Sequence, residues 1–404
     1  MQKKKNSFSL LVMFIPFMGF SQFVNEGDLY ITKKGVVSVF FDAINKTAGD
    51  LINDGNIYYH KNLYNNGLIS FTANLGGNTY FVGLENQVIQ TDLVSEYYNV
   101  FFDNNSAQPA FHLDGDISIE NRSYFNSGII NSSPFGGTVI FKKNADYANA
   151  SDASFVDGKV AKIGYDSFNF PIGDSSYLRG MEIHSDSDQY SRAQYYLENS
   201  SLIHPHTSKD NDISIIDNAE YWNIDLATGQ NLILTLSWRE ETTPSEIRNT
   251  IDGTAIQIVG WNTILGKWVR KYGTADNGTN QITAIIDSPG IYTLARVRVK
   301  ESFPSDIIIY NGMSPNNDGQ NDIFYIDGIQ KYPQNNIEIY NRWGALVYKA
   351  DAYGISGKWF NGISQGDITI NKGEKLPTGT YFYILKLKAT HGNTVDTTGY
   401  LYIN

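Results

Sequence analysis

The chain has 404 residues, enough for roughly two to four domains that each bury a core. Its formal charge of −11 leaves no basic field to displace counterions, which excludes a nucleic acid as partner. The absence of cysteine excludes disulfides, thiolate metal sites, cysteine nucleophiles and a lipoprotein anchor.

At the N-terminus, Lys3, Lys4 and Lys5 precede an apolar stretch from Phe8 to Phe20, and Gly19-Phe20-Ser21 supplies a small-x-small cleavage site. This layout predicts a secretory signal peptide over residues 1–21, cut near Ser21/Gln22. The stretch is too short to span a bilayer, and no later segment qualifies.

Beyond it, sustained helical periodicity is nearly absent. Short alternating segments such as Ile57-Tyr-Tyr, Leu232-Ile-Leu-Thr-Leu-Ser-Trp and Tyr381-Phe-Tyr-Ile-Leu are separated by turn residues, so the expected class is all-β. Over residues 22–150, Asn53-Asp54-Gly55-Asn56-Ile57 returns twelve residues later as Asn65-Asn66-Gly67-Leu68-Ile69. Asp114-Gly115-Asp116-Ile117 and Asn126-Ser127-Gly128-Ile129 repeat the idea. A turn of Asn and Gly at left-handed corners followed by an inward Ile suits stacked rungs, so a β-helix or solenoid is expected. The alternative is a sandwich with Asn-Gly hairpins.

Residues 151–300 change character. Gly158-Lys-Val160-Ala-Lys162-Ile-Gly164 leads into Phe168-Asn-Phe170-Pro171-Ile-Gly173-Asp174, followed by Tyr221-Trp222, Gly260-Trp261 and Trp268. This pattern resembles a module of secreted Bacteroidota surface proteins in which such a stretch precedes a β-sandwich. The resemblance implies cell-surface display and a central β-sandwich. A boundary is expected at Glu301-Ser302-Phe303-Pro304, because the proline breaks strand pairing.

The last hundred residues hold five ordered motifs. Asn311-Gly-Met-Ser-Pro315-Asn316-Asn-Asp318-Gly319-Gln-Asn-Asp322 comes first, then Tyr340-Asn341-Arg342-Trp343-Gly344. Trp359-Phe-Asn-Gly362, Leu376-Pro377-Thr-Gly379-Thr-Tyr381 and Gly399-Tyr-Leu-Tyr-Ile403 follow. Together they resemble the Bacteroidota gliding motility-associated C-terminal domain, the type B sorting domain of type 9 secretion cargo. Phe360-Asn361 departs from it, standing where that family commonly has Asp before Gly. The resemblance implies an immunoglobulin-like sandwich over residues 301–404, with Gly399–Ile403 as a closing strand whose free edge a receptor reads by β-augmentation. It further implies two partners, the type 9 translocon and its outer-membrane shuttle barrel, and delivery through the periplasm to the cell surface.

Candidate chemistry elsewhere is thin. With Gly319 at the sixth position of a calcium loop, Tyr325 falls where a bidentate Glu is required, which excludes an EF-hand. Asn316, Asp318 and Asp322 stay weak Ca2+ candidates beside the expectation of no cofactor and an Asx-rich turn. His204-Pro205-His206 lacks a third ligand and reads as a solvated loop. Gly260 to Trp268 misses the phosphate-loop spacing. Asp186/Asp188 and Glu240/Glu241 offer carboxylate pairs of the kind glycoside hydrolysis uses, but an Asx-rich chain produces such pairs by chance. Trp222, Trp238, Trp261 and Trp268 read as core rather than sugar-stacking platforms. The expectation is a non-enzymatic, adhesin-like or structural surface protein tied to gliding motility or attachment, with motility adhesins or surface polysaccharide as further partners. Extracellular carbohydrate binding is the alternative.

Overall fold

Gln22–Asn25, Asp28–Ile31 and Val36–Val39 form three sides of one turn, and the chain then repeats the circuit. Successive turns pair in parallel and in register: Val37 opposite Ile57, Ile57 opposite Thr79, Thr79 opposite Val100, and Val100 opposite Ser123. Partners therefore stand 20 to 23 residues apart. Residues 22–162 make about six turns of a β-solenoid. The computed structural model describes residues 22–164, 167–184, 189–226, 232–249, 251, 254–298, 303–365, 373–388 and 394–404. The expected signal peptide and the Asp186/Asp188 pair lie outside the described residues.

What stacks the turns is like on like. Inside, Tyr59, Phe81, Phe102 and Phe125 form a column with ring centroids 5.4, 5.6 and 5.9 Å apart. Outside, Tyr58, Tyr80, Phe101 and Tyr124 stack at 4.3, 4.4 and 4.3 Å. At one corner, Asn25 Nδ2 donates to Asn45 Oδ1 (2.9 Å), Asn45 Nδ2 to Asn65 Oδ1 (2.7 Å) and Asn65 Nδ2 to Ser95 Oγ (2.8 Å). Each buried amide thus satisfies its neighbour in the next turn, where an unpaired one would cost about 1–3 kcal/mol.

The twelve-residue echo in the sequence proves to join two different corners. Asn65-Asn66-Gly67 stacks on Asn45…Gly49 and Asn25-Glu26-Gly27 instead, so the repeat is set by the length of the turn. Gly115 (φ 95°) and Gly128 (φ 99°) do have the expected left-handed backbone, but the other two corner glycines have a different reason. Neither Gly55 nor Gly67 has positive φ. A Cβ on Gly67 would run into the carbonyl oxygens of Gly49 and Lys46, and one on Gly55 into those of Thr32 and Gly35. Glycine stands there because the preceding turn passes too close.

One side of the solenoid does not end with it. Lys159–Gly164 is the last parallel strand of a sheet with fourteen strands among the described residues, and Gln189–Tyr196 joins it antiparallel. Tyr221–Leu226, Gly290–Arg298, Thr254–Asn262 and Lys267–Lys271 continue the sheet in that order. Against it packs a second antiparallel sheet, ordered Phe168–Phe170, Met181–His184, Leu232–Ser237, Gln281–Ile286, Gly273–Asp276. Leu234, Leu236 and Ile282 of this sheet share one buried core with Trp222, Ile224 and the solenoid interior.

A buried ion pair ties the two sheets. Arg179 Nε and Nη2 donate to the Glu220 carboxylate at 2.8 and 3.0 Å, while Nη1 and Nη2 reach Ser237 Oγ and its carbonyl at 2.9 and 2.7 Å. Glu220 also accepts from Tyr195 Oη (2.8 Å) and from Thr243. Full hydrogen bonding makes such a burial tolerable. Nearby, burial first and the Glu220 charge second push the Asp217 carboxyl up to about 8.

The C-terminal unit has a core of its own, including Phe324, Ile337, Ile339, Tyr353, Leu385, Leu401 and Ile403. Its sheet is ordered Gly312–Met313, Thr394–Ile403, Gly379–Lys388, Asn335–Asn341, Leu346–Asp351. The last strand is covered on its second side only at Tyr402 and Ile403, so among the described residues 394–401 keep the free edge that the sequence leads one to expect. It pairs along its length with Gly379–Lys388, and Tyr402 and Ile403 pair on the other side with Gly312 and Met313.

Two outcomes check these constraints. Gly67→Ala should lower stability by about 2 kcal/mol or more, through overpacking against the preceding turn, whereas Gly27→Ala at the same corner of the first turn, where a Cβ meets nothing, should change it by less than about 1 kcal/mol. Denaturant titration of both variants measures this. Because burial holds the Asp217 carboxyl at about 8 when folded, well above the ordinary aspartate value, its stabilising contribution is complete below about pH 4 and is lost as pH rises through about 8. Asp217→Asn should therefore match the parent below about pH 4 and melt at a higher temperature than the parent at pH 9.

Candidate functional site

The sequence motifs of the last hundred residues converge because the sheet register brings them together. Asn341 stands opposite Tyr381, Gly379 opposite Ile403, and Met313 also opposite Ile403. Strand Asn335–Asn341 ends, strand Gly379–Lys388 begins and strand Thr394–Ile403 ends at one end of the sheet. Asn311, Pro315, Tyr340, Asn341, Arg342, Trp343, Gly344, Gly362, Pro377, Gly379 and Tyr381 thus share that end.

Each piece is held by local polar chemistry. Asn341 is buried, and its Oδ1 accepts from the amides of Trp343 (3.0 Å) and Ala345 (2.9 Å). Gly344 has φ 82°, which the tight turn needs and a β-carbon would oppose. The Arg342 guanidinium lies over the Trp343 ring at 4.4 Å. Tyr381 Oη donates to the Pro377 carbonyl at 2.9 Å, and burial raises its phenol to about 12. A Cβ on Gly362, at φ 80°, would meet Pro315 Cγ at 2.8 Å, so these two motif residues pack directly. Trp359 stands apart from this end, edge-on to Tyr353 (5.3 Å) and tilted against Tyr325 (5.2 Å). Asn361, where the sequence departs from the family pattern, caps its own turn by accepting from the Ile363 amide at 3.3 Å.

The Asx-rich loop spends its oxygens on itself. Asp322 Oδ1 and Oδ2 accept from the amides of Asn317 (2.6 Å) and Gly319 (2.7 Å). Asp318 Oδ1 accepts from the Gln320 amide (2.7 Å) and its Oδ2 from Asn316 Nδ2 (2.8 Å), which holds its carboxyl below the usual range. Asn316 Oδ1 in turn accepts from the Asp318 amide at 2.9 Å. The three calcium candidates therefore sit in one loop as acceptors for its backbone. Among the described residues no group of three or more His, Asp or Glu side chains is placed to hold a metal ion.

The other sequence candidates disperse. His204 stacks on Trp261 at 4.2 Å and His206 sits edge-on to Trp268 at 5.7 Å, so the pair lies against indoles rather than in a solvated loop, and burial lowers both pKa values. Gly260 to Trp268 is a hairpin in which Trp261 faces Trp268. Glu241 pairs with Arg239, which also bridges to Asp152. Trp222, Trp238 and Trp268 are buried. Sequence reasoning missed one cluster: Ser167 Oγ donates to Glu182, and His184 Nε2 lies 3.3 Å from Ser167 Oγ and 3.2 Å from Glu182 Oε1. Both contacts use the same ring nitrogen, so the imidazole does not stand between acid and hydroxyl as a nucleophile's base must.

Residues 307–403 match the family model described as "CHU_C Type IX secretion signal domain". The chain carries a C-terminal type IX secretion signal domain. That domain implies secretion by the type IX system, engagement with its machinery, and export to the cell surface or extracellular space. No curated protein matches the chain. Among solved structures, dimeric latent PorU from Porphyromonas gingivalis is similar over 54% of this chain and 24% of its own, at 11% identity and a TM-score of 0.15. A likeness that slight carries no argument.

Asp322→Ala should loosen the signal domain by about 1 kcal/mol, the usual cost of removing a carboxylate that caps backbone amides. A chelator should leave the melting temperature of the parent protein unchanged. A calcium-dependent rise in melting temperature would instead assign the loop to a metal.

Proposed function

We propose that this chain is a non-enzymatic, adhesin-like or structural surface protein, in which residues 303–404 are the address and the solenoid with its two packed sheets is the passenger. The carrying observation is the signal domain, with its motif residues gathered at one end of its sheet. The passenger touches other parts of the same strands: Lys386 Nζ lies 5.5 Å from the Tyr272 ring centre, and Thr274 Oγ1 is 3.1 Å from Thr398 Oγ1. Gly379–Lys388 is ten residues long, about 30 Å, so the motif end stands clear of the Lys386 contact. On this reading the outer-membrane shuttle barrel engages that end of an immunoglobulin-like sandwich, and the passenger rides behind as a solenoid joined to a β-sandwich. The outer strand Leu346–Asp351 and the unpaired side of residues 394–401 both offer an edge for β-augmentation.

The non-enzymatic part of the reading rests on the self-satisfied carboxylates and the single-nitrogen geometry at His184. Attachment or gliding is the use that a long, rigid, parallel-stranded passenger fits. Binding of extracellular carbohydrate is the second reading, favoured by a polar cleft on the outer face of the wide sheet.

Removing residues 303–404 should leave the passenger folded but retained in the periplasm, so that protease added to intact cells no longer reaches it. Surface exposure equal to that of the full chain would sink the proposal.

A further inference from the structure

The outer face of the wide sheet holds a cleft of about 370 Å³, within the size range of small-ligand sites. Its floor comes from strands beyond the solenoid. Val160, Ala193 and Ile224 point into the core, so the alternate positions Lys159, Arg192, Asn223 and Asp225 face outward into the cleft. Gln194 and Tyr196 complete the lining.

The chemistry of this lining is selective. Arg192 Nη2 donates to Asp225 Oδ2 at 2.7 Å, which leaves most of the guanidinium's five donors for another acceptor. The Lys159 ammonium has no hydrogen-bond or ion-pair partner among the described residues. Among the lining residues two cations stand against one carboxylate, on a chain whose formal charge is −11, while Glu198 and Asp174 lie close enough to help raise the Tyr196 phenol. The amides of Gln194 and Asn223 can both donate and accept, as vicinal hydroxyls require, and Gln194 is fixed by donating to Ser133 Oγ at 3.0 Å. Tyr196 is braced by a parallel stack on Tyr221 at 4.8 Å and offers a rigid ring beside the amides. Backbone amides of these strands are committed to the sheet, so among the described residues the strands offer no nest of free N–H groups to a phosphate.

We propose that this cleft binds a uronic-acid residue of an acidic polysaccharide, with Arg192 and Lys159 holding the sugar carboxylate and Asn223 and Gln194 its hydroxyls. The proposal rests on the carbohydrate-binding reading and sharpens it to an anionic sugar. Because the whole chain is acidic, a polyanion gains nothing from long-range attraction, and the local pair of cations must supply the recognition.

The test is calorimetric titration of the full secreted protein with oligogalacturonate, with laminarin oligomers as the neutral arm. The parent should bind oligogalacturonate saturably and laminarin weakly. Lys159→Ala and Arg192→Gln should each weaken binding roughly tenfold, as loss of a charge-assisted contact does. Asp225→Asn should strengthen it several-fold by removing a like charge and releasing Arg192, a gain that a misfolded variant cannot mimic. Unchanged affinity in the Lys159 and Arg192 variants, or weaker binding in Asp225→Asn, overturns the proposal. Binding of laminarin alone would overturn it while leaving the carbohydrate reading intact, and binding of neither oligomer would end both.

Discussion

Register between successive turns is the constraint on which the passenger depends. In a parallel stack an inward side chain meets its counterpart one turn away, from 18 residues between Leu51 and Ile69 to 26 between Leu63 and Ile89, so the outline of one turn dictates the next. The Asn25–Asn45–Asn65 series, buried at Asn45 and Asn65, and the Tyr59–Phe81–Phe102–Phe125 column are the two forms this takes, one through amide hydrogen bonds and one through ring contact. A slip of one residue would turn both columns inside out. The strand Gln189–Tyr196 closes the wide side of the stack by reversing direction, and the buried Arg179–Glu220 pair then fastens the second sheet to that wide one.

The signal domain obeys different rules. Its core is separate from that of the passenger, its sheet is mostly antiparallel, and its loops are shaped by side chains that cap their own backbone. Such a unit can be recognised without regard to what precedes it, which is what an address requires. Its contacts with the passenger involve residues such as Tyr272, Thr274, Lys386 and Thr398, away from the end where Asn341, Pro377 and Gly379 gather.

Much of this was legible in the sequence where the determinants are local. The alternation of Leu232 to Trp238, the turn at Asn341 to Gly344 and the Asx-rich loop all announce themselves within ten residues, and the all-β class and the C-terminal domain follow. The solenoid was legible as a type but not in its period. Asn45 is followed by Gly49 rather than by a glycine two residues on, so the true partner of Asn65 is hidden and the nearer Asn53 looks like its echo. Contacts between distant segments left no trace either: Arg179 and Glu220 are 41 residues apart, and Lys159 meets Arg192 in a cleft only because a strand reverses beside the solenoid. The His204–His206 pair misled because the indoles that bury it, Trp261 and Trp268, lie more than 50 residues further along the chain.

The most direct test of the division into address and passenger is transfer of the address. Residues 303–404 would be fused behind an unrelated, signal-peptide-bearing fluorescent protein, and fluorescence accessible to an impermeant quencher would be measured on intact cells with a working type IX system. Surface fluorescence that disappears when Asn341 to Gly344 are replaced by alanines, while the domain stays folded, is the expected result. A reporter that remains in the periplasm although the fused domain is folded would contradict the assignment.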